Sequence, residues 1–324
     1  MAVFDSYGFS VMDDLSERKE PFFFMVDFLV EKMEIFTLEE INEKGLIIDF
    51  KNIKTGAAKD VKQQIRWKAF PESLESYAKG FHKVQQHLRK GNSYLVNYTR
   101  KTPVETNLSL EEIFYISGAK YKVYYPGRFV FFSPETFVEI HKDKICTHPM
   151  KGTIDASEAD AEQKLRNSIK EKAEHYTVID LLRNDLSMVA DDVSVDCFQR
   201  IDMIRTRQKN LLAMSSEISG TLKEGFYGKP GSILRKLLPA GSILGAPKHK
   251  TLDIILEAEN TPRGYYTGIC GWFDGENLDS CVMIRFVEQE NGQLYFRSGG
   301  GITHMSVLEE EYQEMKNKIY APVY

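Results

Sequence analysis

Two pairs of glutamates recur at matched spacing far apart in the chain: Glu171 and Glu174, and Glu311 and Glu314. Residues three apart share one face of a helix. His175 and Val178 extend the first face, and Lys318 lies one turn beyond Glu314. Should the two helices face each other, their carboxylates could hold a hard, oxygen-seeking cation. Mg²⁺ suits that description, because it commonly takes one or two carboxylates plus water and substrate oxygens. Solvated helix faces carrying i,i+4 ion pairs have the same spacing.

A second feature is Lys151, in His148-Pro149-Met150-Lys151-Gly152-Thr153. A lysine is nucleophilic at neutral pH only when desolvation or a neighbouring cation lowers its pKa, and a strand end entering an enclosed cleft can supply that setting. Glu135 sits on the preceding turn of the same strand group. If burial raised its pKa, its carboxyl could give a proton to a leaving hydroxyl. A solvated lysine and a turn glutamate are the plain alternatives. Pro239 to Lys248 forms a glycine-containing loop that feeds a helix, where free N–H groups favour an anion. Gly299, Gly300 and Gly301, between a strand and a helix, let backbone approach a ligand. Arg285, on a neighbouring strand, offers bidentate pairing to a carboxylate.

These residues need elements to carry them. Apolar runs at 22–30 and 45–50 predict strands, and Leu74, Tyr77, Phe81, Val84 and Leu88 predict a helix over 71–90 that stops at Gly91. A strand at 93–98 follows, then a short helix opened by the capping-box pair Ser109 and Glu112. Residues 128–151 read as a β-meander. Helices follow at 157–167 and from Ser168, with Glu171 as its capping partner, to Leu186. A further helix spans 246–259 with Pro247 in its first turn. Three strands broken at Asp274-Gly275 and Asn291-Gly292 cover 265–302, and a last helix spans 306–320. Blocks of strands and blocks of helices imply an α+β fold with antiparallel sheets. With no Pro/Gly/Ser-rich linker, one domain over 1–324 is expected.

Composition narrows the chemistry. The chain has 324 residues, with 42 Lys and Arg against 47 Asp and Glu, a formal charge of −5. Nucleic acid and anionic membranes are therefore poor partners, and a small ligand is the better one. Cys146, Cys197, Cys270 and Cys281 form no Cys-x-x-Cys and read as reduced core thiols. The N-terminus lacks a signal-peptide pattern, and the longest apolar stretch is too short to span a bilayer, so a cytoplasmic protein is expected. Phosphate-loop, dinucleotide and His-Glu-x-x-His motifs are missing, which removes the main support for ATP, NAD and zinc.

In order along the chain, Lys151-Gly152-Thr153, Glu174-His175 with 180–185, Gly241–Lys248, Arg263–Gly268, and Gly299–Ile302 before Glu311 and Glu314 resemble the chorismate-utilising enzymes. The resemblance is strongest over about 128–320, the expected catalytic core, and weakest over about 1–70, where longer relatives have more chain. It implies two antiparallel sheets packed as a sandwich with helices outside. It also implies Mg²⁺ held by Glu174 and Glu314 directly, with Glu171 and Glu311 acting through water. Substrate would be placed by Gly152, Thr153, Ser242, Tyr266, Arg285, Gly299, Gly300, Gly301 and Lys318.

Within the family, position 151 divides the members. Aminodeoxychorismate synthase component I typically has Lys there, and anthranilate synthases usually have Ala. Lys151 thus implies covalent catalysis with Glu135 assisting, giving 4-amino-4-deoxychorismate for para-aminobenzoate and folate synthesis. Anthranilate synthase component I and a non-catalytic chorismate-binding subunit are the alternatives. Two positions depart from the family pattern. Ala213 replaces a His linked to pyruvate elimination, and Leu244 replaces a frequent Ser or Thr. Without a Gly-x-Cys-x-Gly turn for hydrolysing glutamine, the expected ammonia source is a separate glutamine amidotransferase subunit. The expected consumer of the product is a downstream aminodeoxychorismate lyase.

Overall fold

The computed structural model describes residues 6–204 and 210–322, with the side chains of Ser6, Lys151, Thr153, Lys170, Ile204 and Leu211 excepted. The described strands form two nine-stranded sheets, antiparallel throughout. The first sheet runs Met150–Asp155, Leu211–Leu222, Lys144–Thr147, Thr136–His141, Leu278–Val282, Ile269–Phe273, Phe22–Val26 and Met33–Phe36, with Ala190–Ile204 also paired to Leu211–Leu222. The second runs Gly245–Ala246, Leu95–Thr106, Gln293–Ile302, Phe286–Glu290, Phe129–Ser133, Tyr121–Tyr125, Ile47–Phe50 and Ile53–Lys54, with Trp67–Ala69 added on Leu95–Thr106.

Alternation along single strands shows how the layers stack. In Phe22–Val26, Phe23 and Met25 join a cluster with Ile48, Val123, Phe131 and Phe286 of the other sheet, so this core lies between the sheets. Phe22, Phe24 and Val26 point the other way, into a cluster with Phe9, Met12, Val178, Leu182 and Leu234 of the helices Ser6–Glu17, Ile169–Ser187 and Pro230–Leu237. A strand covered on both faces must be apolar at every position, which explains the unbroken run of five buried residues. The second sheet is built alike: Val130 and Phe132 face away from the sandwich toward the helices Leu74–Arg89, Leu110–Ile116 and Lys248–Ala258. The fold is thus the α+β sandwich with helices outside.

Most expected elements are present with shifted ends, but the meander expected over 128–151 is divided: Phe129–Ser133 joins the second sheet, while Thr136–His141 and Lys144–Thr147 join the first, and the strand expected at 93–98 runs Leu95–Thr106. The first strand stops at Val26 because Asp27 turns the chain, its Oδ1 accepting from the amides of Glu31 and Lys32. Ser73 caps Leu74–Arg89, and the Ser109/Glu112 capping box is complete. Four strands, rather than three, occupy 265–302, because a further break falls at Ile284-Arg285, where Arg285 takes φ +54°. Arg285 therefore lies between strands rather than on one. The three glycines 299–301 lie inside Gln293–Ile302 rather than after it. Pro247 is the N-cap of its helix rather than a first-turn residue. The helices Ser6–Glu17 and Pro230–Leu237 and the long hairpin of Ala190–Ile204 with Leu211–Leu222 were not expected from the pattern. Among the cysteines only Cys270 and Cys281 are core thiols, while Cys146 and Cys197 are partly exposed.

Candidate active site

The two glutamate helices reach one strand. Glu174, on Ile169–Ser187, places Oε2 3.2 Å from where a Cβ on Gly301 would lie. Glu314 Oε1 and Glu311 Oε2, from Leu308–Asn317, lie 3.2 and 3.5 Å from the corresponding point on the neighbouring Gly300. Side chains at either glycine would fill the space the carboxylates use. Glu171, from the same helix as Glu174, reaches a strand of the first sheet instead: its Oε2 is 2.7 Å from a Cβ on Gly152 of Met150–Asp155. Gly152 takes φ +75° at a bulge in the ladder between Met150–Asp155 and Leu211–Leu222. A side chain there would be strained as well as blocked.

Burial separates the glutamates into two kinds: Glu171 and Glu314 are partly exposed, Glu314 in an i,i+4 pair with Lys318, whereas Glu174 and Glu311 are enclosed. Glu174 and Glu311 are only 7% and 2% exposed, so they are not solvated faces. Removing a carboxylate from water is costly unless a cation or hydrogen bonds compensate it. An all-carboxylate donor set fits a hard divalent ion rather than a soft one. Among the described residues, no three of these carboxylates have oxygens within 4.8 Å of one another.

The remaining candidates divide into groups. Ser242, on the helical turn Gly241–Leu244, donates from Oγ to Glu135 Oε1 at 2.9 Å, so residues 107 apart in sequence form one unit. Lys318 caps its helix and donates from Nζ to both the Gly299 carbonyl and Glu314 Oε1, each at 2.8 Å. Tyr266 is buried in the layer between the sheets, edge-on to Phe286, and burial pushes its phenol up to about 12. Arg285 lays its guanidinium 5.4 Å from the centre of the Tyr320 ring. The backbones of Lys151 and Thr153 lie in Met150–Asp155, opposite Met214 and Ala213, while their side chains fall outside the described residues. Leu244 is fully buried in the outer core of the second sheet, which accounts for an apolar residue at that position.

Two supports have no mark in the composition of any single motif. His175 is fully buried, with Nε2 2.8 Å from Ser216 Oγ, linking the Glu174 helix to Leu211–Leu222. Lys248 Nζ sits 2.8 Å from Asp185 Oδ2 and donates to the Leu237 carbonyl at 2.7 Å. Gly241 packs on that pair, with Asp185 Oδ2 2.9 Å from the place of a Cβ, so the pair fixes the turn that carries Ser242. Only the order of the two segments in the chain pointed to these partners. Lys248→Met is expected to strand a buried carboxylate and lower unfolding free energy by about 3 kcal/mol in a denaturant titration. An unchanged midpoint would show the pair to be dispensable.

Comparison with known proteins agrees with this geometry. The model of the chorismate binding enzyme family matches residues 33–324. An uncharacterized PabA-like protein of Pasteurella multocida is 48% identical over 322 residues, covering 96% of this chain and 97% of its own. Two Bacillus subtilis enzymes are each 29% identical. Anthranilate synthase component 1 is matched over 90% of this chain and aminodeoxychorismate synthase component 1 over 78%, and in both cases the match spans 56% of the enzyme. The menaquinone-specific isochorismate synthase MenF of Escherichia coli superposes with a TM-score of 0.75 over 95% of this chain and 79% of its own, at 16% identity, a likeness of fold. No helix among the described residues is long and apolar enough to cross a membrane. By the extent of the family match, and with the glutamate helices and glycine strand in place, the chain belongs to the chorismate binding enzyme family.

Proposed function

We propose that this protein aminates chorismate at C4 to give 4-amino-4-deoxychorismate, with ammonia supplied by a separate glutamine amidotransferase subunit. The observation that carries this reading is the pairing of two discriminating positions. Lys151 stands where anthranilate synthases usually have Ala, and Ala213 stands where many relatives have His. Thr153 pairs with Ala213 and Lys151 with Met214, so both positions lie in one ladder, on successive rungs separated by the bulge at Gly152. A lysine is gained and the histidine linked to pyruvate elimination is absent, a combination suited to an amination that keeps the enolpyruvyl group.

In this reading Lys151 adds through its amine to C2 of chorismate while the C4 hydroxyl leaves as water. Ammonia then adds at C4 as the lysine is expelled, so chorismate and ammonia give product and one water. Dividing one hard displacement into two easier ones is the advantage of the nucleophile. Glu135, held by Ser242, gives a proton to the departing hydroxyl. Glu174 and Glu314 would hold Mg²⁺, with Glu171 and Glu311 supporting through water. The ion, when bound, would supply positive charge to the substrate carboxylate and the leaving oxygen. Lys318, Arg285 and the amides of Gly299 to Gly301 would orient the carboxylates.

Incubation with chorismate, Mg²⁺ and ammonium tests the assignment. The expected result is chorismate loss without fluorescence, with para-aminobenzoate forming only after an aminodeoxychorismate lyase is added. Fluorescent anthranilate appearing without the lyase would reject it in favour of an anthranilate synthase component. No turnover at all, with chorismate still bound, would indicate a non-catalytic subunit.

A further inference from the structure

A second set of metal-type donors lies away from the glutamate helices. Cys146 and His148 are two apart and leave the same side of an extended segment, while Glu139 is the register partner of Cys146 on the adjacent strand. Cys146 Sγ is 3.8 Å from His148 Nε2, which is 3.7 Å from Glu139 Oε2, and the three donor atoms all lie within 4.8 Å of one another. A four-coordinate ion with bonds of about 2.0–2.3 Å places its ligands roughly 3.4–3.6 Å apart. Shifts of a few tenths of an ångström would therefore bring at least the His148 edges to that geometry.

The surroundings also suit a bound ion. Lys120 Nζ holds the other oxygen of Glu139 at 3.0 Å and donates to Thr136 Oγ1 at 2.8 Å, which orients the carboxylate with Oε2 toward the imidazole. The His148 and Glu139 side chains are 25% and 29% exposed, enough for an ion to enter and for water to take the fourth position. The donor set is one sulfur, one nitrogen and one oxygen, unlike the oxygen-only set of the glutamate helices. It selects a borderline-soft divalent cation over Mg²⁺. We propose that Glu139, Cys146 and His148 form a zinc-class site, distinct from the glutamate-lined one, which braces the strand junction leading into the Lys151 segment. Sequence motifs for zinc miss it because the third ligand is supplied by cross-strand pairing rather than by spacing along the chain.

The test uses the full-length protein with Mg²⁺ in excess throughout, so that the glutamates are occupied. Zn²⁺ titration after chelator treatment and dialysis is expected to show one equivalent bound. Cys146→Ser and His148→Gln should each weaken binding roughly 10²-fold or more. Substituting Co²⁺ should give a sulfur-to-cobalt charge-transfer band that Cys146→Ser abolishes and Cys197→Ser leaves intact. Unfolding curves of each variant separate loss of the site from loss of the fold, and Glu139→Gln provides an independent ligand deletion. Absence of zinc binding in the folded wild type, or binding that survives both the Cys146 and His148 substitutions, would overturn the site. Neither outcome bears on the chorismate reaction, which is assayed separately.

Discussion

Replacing Lys151 by alanine is expected to lower ammonia-dependent conversion of chorismate by roughly 10³-fold or more, the scale on which enzymes suffer when a nucleophile is removed. Chorismate affinity should change far less, because the carboxylate-binding groups come from other elements. Intact-protein mass spectrometry separates this role from a merely electrostatic one. With chorismate and Mg²⁺ but no ammonia, the wild type should gain the mass of chorismate less one water, and Lys151→Ala should not. A variant that turns over at the wild-type rate would remove the covalent route. The membership of the chorismate binding enzyme family, which rests on the extent of the sequence match, would still stand.

The largest expected effect on stability comes from Arg263. Its guanidinium is about as buried as a side chain can be, 1% exposed, against Glu259 at 5%. Nε donates to Glu259 Oε2 at 2.9 Å and Nη2 to Oε1 at 2.7 Å, a bidentate pair. Nη2 also donates to the Asn97 carbonyl at 2.6 Å and Nη1 to Thr267 Oγ1 at 3.2 Å. Glu259 Oε1 accepts from the amide and hydroxyl of Thr99, the register partner of Gly299. One ion pair thus ties the Lys248–Ala258 helix to the strand beside the three glycines. Arg263→Ala leaves a buried carboxylate without its cation and should cost about 3–5 kcal/mol, read from denaturant midpoints. The double change Arg263→Met with Glu259→Gln should cost less than Arg263→Ala alone, because no charge is left stranded. Equal losses would mean that packing, rather than charge, governs the site.

The chain's own pattern determined much of this protein. Local signals marked the elements: the three- and four-residue spacing of Leu74–Leu88, the Ser109 and Glu112 box, and the turns at Asp274-Gly275 and Asn291-Gly292 are written within a few residues each. They act through backbone preference and short-range capping, so they survive without tertiary context. The ordered glycine, lysine and glutamate motifs likewise carry the family resemblance in the sequence alone. The hairpin of Ala190–Ile204 with Leu211–Leu222 carries a weak signal: Val193, Val195 and Cys197 alternate with exposed Asp192, Ser194 and Asp196, but the second strand buries the polar Ser215 and Ser216, and its pairing partners are fixed only by the fold.

Only the tertiary structure decided which glutamates are buried and which atoms meet. Glu174 and Glu311 have neighbours in sequence that read as surface helix, yet they are shut from water by strands drawn from other parts of the chain. The Glu135–Ser242 contact, the Asp185–Lys248 pair and the Glu139–Cys146–His148 cluster arise in the same way. Cross-strand register and helix docking bring together groups whose spacing along the chain carries no periodic signal. Helix and turn propensities act over a few bonds, whereas desolvation and ion pairing depend on three-dimensional distance, which for these residues is set by the packing of two whole sheets.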